Sequence, residues 1–251
     1  MAQKILVTGG TGFLGYRTVY ALLEQGAQVT VIGPSEAQER LGALLGRVTW
    51  ATGDVWNPGS LRGRARGHQA VIHLVGAIKA DPKRGLTFRQ LNTVSARNTA
   101  QMAVSDGVPH FVLLSASGGL PGISSEYLAS KREAEVYLRK TGLTWTIVRA
   151  PPLYDPHKRR ALVYVLLTQI SHIPLLGNLV APIAPLSVDV AARGISRLAL
   201  HPDLRDRLIG ASRLRAIGRS PLPPTDFPAA QGNLVDGDSW DEGPFGWLPP
   251  T

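Results

Sequence analysis

The chain has 251 residues, 44% of them hydrophobic and 18% charged, and a formal charge of +9. That composition excludes a disordered chain and suits one large core, or a core with a small second lobe. Cysteine is absent, which removes disulfide frameworks, thiolate metal sites and cysteine nucleophiles and fits a reducing compartment.

In chain order, "KILVTGG" reads as a strand, followed by a helix over "GYRTVYALLEQG" that Gly26 closes. "QVTVIG" and "VTWATGD" read as the second and third strands. "NPGSLRGRARG" reads as a helix opened by Asn57, with Pro58 at its first position. "QAVIHLVG" is the fourth strand. "TFRQLNTVSARNTAQMAVSDG" has helical spacing, with Leu91, Val94 and Met102 among its apolar positions. "HFVLLSA" is the fifth strand, "SSEYLASKREAEVYLRKTG" a helix and "TWTIVRA" the sixth strand. This alternation predicts right-handed crossovers and a parallel sheet buried on both faces: an α/β, Rossmann-type, doubly wound fold.

The pattern weakens after residue 150. A helix-like stretch at 159–171 precedes a Pro-interrupted region, and "SVDVAARGISRLALHP" reads as a further helix. The expected organisation is a nucleotide-binding domain over 1–150, a small substrate lobe over 151–214 and a Pro/Gly-rich extended tail over 215–251. That tail carries Phe227, Trp240, Phe245 and Trp247, which suit docking on the body or a partner.

The most apolar region, 161–188, is broken by His172, Pro174, Asn178, Pro182 and Pro185, so a spanning helix is not expected, whereas a greasy pocket or membrane-touching surface is. The strand-like run begins almost at once, so no signal peptide is expected. The basic clusters "RGRARGH", "DPKRG" and "HKRR" lack interleaved aromatics. They read as solvated faces or an attraction for phosphorylated cofactors and anionic membranes rather than for nucleic acid.

"VTGGTGFLG" joins the first strand to the first helix, with Gly9, Gly12 and Gly15 at G-x-x-G-x-x-G spacing. One glycine makes the tight turn, one admits the pyrophosphate and one lets helix pack on strand, while the helix N-terminus holds the phosphates. Where NAD enzymes place an acid after the second strand, this chain reads Gly33, Pro34 and Ser35, with Glu36 beyond; Arg17 and Arg40 are candidates to approach a phosphate. NADP(H) is therefore expected over NAD(H). Asp54 reads equally as an adenine-edge contact or a cap of the next turn. His73, inside an apolar strand, reads as a core residue, and His157 and His172 stand in the C-terminal lobe. No metal-ligand spacing and no G-x-S-x-G elbow is present.

"TGGTGFLG", "GDV", "HLVG", "LN", "LLSAS" and "YLASK" occur in an order that resembles the extended and atypical branches of the short-chain dehydrogenase/reductase family over about residues 3–205. "HLVGAI", "YLASKREAE", "TIVRAPPLYD" and "PLSVDVAA" look like an atypical subgroup. It includes the NADPH-holding accessory subunit of respiratory complex I and relatives associated with ubiquinone synthesis. The resemblance implies cofactor contacts at Gly9, Thr11, Gly12, Phe13, Leu14, Gly15, Asp54, Val55, Leu74, Val75, Gly76, Tyr127, Lys131 and Pro152. It further implies that Tyr127 is the proton donor and Lys131 its modulator, with Ser115 preferred over Ser117 as the residue orienting substrate.

The resulting expectation is an NADP(H)-dependent oxidoreductase acting on an apolar carbonyl or quinone, cytoplasmic or peripheral at the inner face of a membrane. The alternative is a non-catalytic NADP(H)-binding protein of a membrane-associated complex. A nucleotide-sugar epimerase is a third, less favoured reading.

Overall fold

Ile5, Leu6 and Val7 are fully enclosed, so the strand they form must be covered on both faces. The computed structural model describes residues 2–118, 123–156, 184–201 and 207–221. Its strands are β1 (Lys4–Thr8), β2 (Gln28–Gly33), β3 (Thr49–Thr52), β4 (Ala70–His73), β5 (His110–Ala116), β6 (Thr144–Ala150), β7 (Leu153–Tyr154), β8 (Leu186–Ser187) and β9 (Arg207–Ile209). Seven of them form one parallel sheet in the order β3-β2-β1-β4-β5-β6-β9, and β7 pairs with β8 separately. Thr8 lies opposite Ile32 on one side and His73 on the other. Chain direction across the sheet reverses between β1 and β4, the switch point at whose carboxyl ends such sheets bind ligands.

The helices are α1 (Phe13–Glu24), α2 (Pro58–Leu61), α3 (Ser95–Ser105), α4 (Ser125–Arg139), α5 (Val188–Leu200) and α6 (Ala211–Arg219). On one face Ile5, Val7, Val31, Leu114 and Val148 pack with Leu22 of α1 and Ile195 and Leu198 of α5. On the other, Leu6, Val71, Phe111, Leu113 and Ile147 pack with Ala100 of α3 and Ala134 and Leu138 of α4. Alternate strand residues thus feed opposite layers, and each enclosed aliphatic side chain contributes about 1.5–3 kcal/mol.

Three expectations need correction. The helix expected over 57–67 is a single turn. Asn57 caps it by accepting from the Gly59 amide, but Gly63 and Gly67 take positive φ, and the Asp106 carboxylate holds the loop through the amides of Gly63 and Ala65. The long helix before β5 opens as a π segment, Arg89–Val94, before α3 begins. The boundary at 214/215 falls inside α6, whose Leu214 is fully buried, and β9 extends the main sheet. These short elements have too few residues for periodicity to reveal them. The readings at 159–171, His157 and His172, and the tail aromatics lie outside the described residues.

Helices α5 and α6 touch backbone to backbone: a Cβ on Gly218 would sit 2.0 Å from the Val190 carbonyl oxygen. Arg193 and Arg197 of α5 donate to the carbonyls of Gly218, Ile217 and Ser220, placing cations at the carbonyl end of α6. The C-terminal end of this unit is fastened to the start of the chain: Gln3 donates to the Leu200 carbonyl at 3.1 Å and Gln25 to the Ser196 hydroxyl at 2.7 Å. Among the described residues no helix is long and apolar enough to cross a membrane.

Candidate active site

The glycine loop is built as its spacing implies. Gly9 has φ +76°, and a Cβ there would press on the Val75 amide at 3.0 Å. A Cβ on Gly15 would lie 1.9 Å from the Gly9 carbonyl oxygen, so only glycine lets α1 pack so close to the turn. Gly12 is the N-cap and offers no side-chain acceptor, and α1 carries no acid in its first turn. The first-turn amides near Phe13 and Leu14 therefore have no local anion to answer the helix dipole.

Beside this loop is an open cleft at the carboxyl ends of β1, β2 and β4. Of the residues named from sequence, Gly9, Thr11, Val55 and Val75 line it, joined by Ile32, Gly33, Pro34 and Gly53. No ionisable side chain is among them. Leu74 and Leu14 are buried in the core beneath, so their side chains do not line it. Asp54 takes the capping role: its carboxylate accepts from the Trp56 amide at 2.9 Å. Phe13 stacks under the Arg17 guanidinium, 4.9 Å from the ring centroid.

Arg17 is not free to meet a cofactor phosphate. It bridges Asp155 at 2.6 Å and Asp189 at 3.1 Å, tying α1 to the segment after β7 and to the head of α5. Arg40 is exposed on the 3₁₀ stretch Ser35–Arg47, where the Ser35 hydroxyl donates to Glu36. Pro152 lies past the end of β6; its carbonyl accepts from Leu186, and it does not line the cleft.

The second half of the site begins one residue past Val75. A Cβ on Gly76 would lie 2.5 Å from both the Asn92 Oδ1 and the Lys131 Nζ, so the three residues converge. Asn92, carried inward by the π segment, binds both the N–H and the C=O of Ala77 and donates to the Ser130 hydroxyl. Segments of this kind recur at functional sites. The role of Asn92 was not read from sequence; its signal was the "LN" motif, but the wound-out turn that aims it has none.

Lys131 is almost wholly enclosed and donates to the Leu114 carbonyl at 3.3 Å. Burial lowers its pKa to about 8, against the opposing charge of Glu135. Tyr127, one helical turn earlier, is equally enclosed and meets Phe88 edge-on, with ring centroids 5.9 Å apart. Burial pushes its phenol up, and only the charge of Arg132 counters this.

Ser115 is hydrogen-bonded into a charged cluster on the same helix. Its hydroxyl donates to Glu135 at 2.6 Å and accepts from Arg132 at 3.1 Å. Glu135 is also gripped bidentately by Arg149 at 2.6 and 2.9 Å and by Arg132 at 2.6 Å. Burial pushes its carboxyl up, but the hydrogen bonds from Arg149 and Ser115 and the two guanidinium charges outweigh that and hold it low. Ser117, at the strand end, donates to the Arg149 carbonyl at 3.1 Å. His73 is a core residue: it hydrogen-bonds Thr8 and Ser95, stacks on Phe111, and burial, then the charge of Lys131, lowers its pKa to about 3.

The glycine turn at the helix N-terminus, the cleft beside it and the Tyr127–Lys131 helix fit a nicotinamide dinucleotide, since a Cβ at position 9 or 15 would force the turn and helix apart. Comparison with known proteins agrees. A family model described as NAD(P)H-binding matches residues 9–171. A ceramide reductase of Caulobacter vibrioides is 32% identical over 201 residues, covering 80% of this chain and 62% of that protein. A UDP-glucose 4-epimerase of Erwinia amylovora is 32% identical over 125 residues, 46% of this chain and 37% of that protein. The chain thus spans less than two thirds of either relative.

Among solved structures, a UDP-glucose 4-epimerase from Thermotoga maritima superposes with a TM-score of 0.57 at 21% identity, covering 83% of this chain and 77% of that one. An NADPH-dependent quinone oxidoreductase from Escherichia coli gives 0.56 at 18%, covering 81% and 66%. At these identities the likeness is one of fold.

Proposed function

We propose that this chain, which belongs to the NAD(P)H-binding family, is an NADPH-dependent reductase of an apolar carbonyl or quinone-like compound. The observation that carries the reading is the convergence of Gly76, Asn92 and Lys131 directly beyond the nucleotide cleft, with Tyr127 one turn away on the same helix. When bound, the dinucleotide supplies the hydride. Lys131 holds the ribose through its ammonium, and Tyr127 gives its phenolic proton to the substrate oxygen, so a carbonyl becomes an alcohol. Because Ser115 is committed to Glu135, Ser117 is the better candidate to orient the substrate oxygen. NADPH is favoured because the end of β2 presents Gly33 and Pro34 and no carboxylate. The ceramide reductase likeness supports a lipid-like substrate, as does the apolar composition of 161–188.

One observation favours the second reading, a nucleotide-holding protein without turnover. The Tyr127 phenol is buried and pushed further from neutrality. The two readings separate when NADPH oxidation is followed against apolar ketones, quinones and ceramide-type lipids. The reductase reading expects turnover that Tyr127→Phe abolishes while NADPH binding changes less than threefold. Tight NADPH binding with no turnover on any of them supports the second.

A further inference from the structure

The end of β2 is where a carboxylate would have to stand to read the ribose diol of NAD. Gly33 occupies that place and lines the cleft. A Cβ added there would lie 2.9 Å from Cη2 and 3.2 Å from Cζ2 of Trp50. Real Cβ atoms do not approach ring carbons so closely. Trp50 sits on β3 in register with Val31 of β2 and packs, half-buried, on the core layer that contains Val31 and Val29, so a side chain at position 33 would require its indole to move. The indole thus fills the space of the missing side chain. Pro34 follows with φ −66° and brings neither a carboxylate to accept from the diol nor an amide hydrogen.

From this geometry we propose that Trp50 is a specificity-determining residue: it bars any side chain at position 33, and so fixes the cofactor site in a form that lacks a diol-binding acid. This rests on the nucleotide reading above and deepens it. Selectivity between the two dinucleotides is then a property of the pair 33/50, not of position 33 alone.

The test is a double-substitution cycle on the full chain, with dissociation constants for NADPH and NADH from titration calorimetry. Gly33→Asp in the presence of Trp50 is expected to weaken both cofactors at least tenfold and to lower the melting temperature. The same change with Trp50→Val is expected to move the NADH/NADPH affinity ratio at least tenfold toward NADH. Gly33→Ala in both backgrounds isolates the steric part, should the aspartate variant not fold: it is expected to lower the melting temperature with Trp50 and not with Val at 50. Identical effects of either substitution in the two backgrounds would overturn the proposal. The wild-type ratio is a separate readout. NADH bound as tightly as NADPH would remove the NADPH preference, while the coupling between positions 33 and 50 would still decide the role of Trp50.

Discussion

The hydroxyl of Ser115 donates a 2.6 Å hydrogen bond to Glu135, and this bond occupies the donor that the family resemblance assigns to substrate. Glu135 lies two helical turns beyond Tyr127 on α4 and is held between β5 and β6 by Arg132 and Arg149. Ser115→Ala should therefore cost about 1.5–3 kcal/mol in urea unfolding, the range for a bond to a charged group, and change turnover less than threefold. Ser117→Ala should lower kcat about a hundredfold. The reverse pattern would return the orienting role to Ser115.

Lys131 gives a pH signature. Its folded value of about 8 lies below its ordinary 10.5. Between those values the unfolded chain binds a proton that the folded chain has released, so this site adds stability as pH rises through that window. The melting-temperature difference, wild type minus Lys131→Met, should grow from pH 7.5 to pH 10. A flat difference would mean that the buried amine has ordinary basicity.

Two glycines make a matched pair. At Gly15 a Cβ would collide with the Gly9 carbonyl at 1.9 Å, whereas at Gly46 nothing lies within 4 Å. Gly15→Ala should abolish NADPH binding and lower the melting temperature by several degrees. Gly46→Ala should leave binding unchanged and stability the same or slightly higher. Equal behaviour of the two would refute the close-packing account of the loop.

Arg17 separates structure from cofactor choice. Each of its three nitrogens already donates, to Asp189, the Phe13 carbonyl and Asp155. Arg17→Met should lower the melting temperature yet leave the NADPH/NADH affinity ratio within twofold. A collapse of the ratio would show that the arginine leaves its acids to bind phosphate.

The sheet was legible because its central strands are continuous apolar runs and its helices are long enough to show periodicity. The glycine loop was legible because Gly9 and Gly15 answer steric demands visible one residue at a time. The serine was not: Ser115 donates to the Glu135 carboxylate and Ser117 to the Arg149 carbonyl, and neither partner is adjacent in sequence. The ion pairs of Arg17 were invisible for the same reason, since its partners lie 138 and 172 residues away. Asn92 depends on a backbone winding with no compositional mark. Gly33 announced a missing acid, but its cause, the ring of Trp50, arrives from the neighbouring strand.

The fastening of α1 to α5 bears on how the protein is made. Contacts such as Gln3 with Leu200 and Gln25 with Ser196 close loops of 197 and 171 residues. On a ribosome the nucleotide loop emerges first, and α1 can pack on β1 and β2 as soon as they form, but the layer that α5 adds over it is missing until the chain has been synthesised past residue 200. During that interval the part of α1 that meets α5 stays open to chaperones. The nucleotide fingerprint is among the first residues translated, and the helix that covers its carrier is among the last.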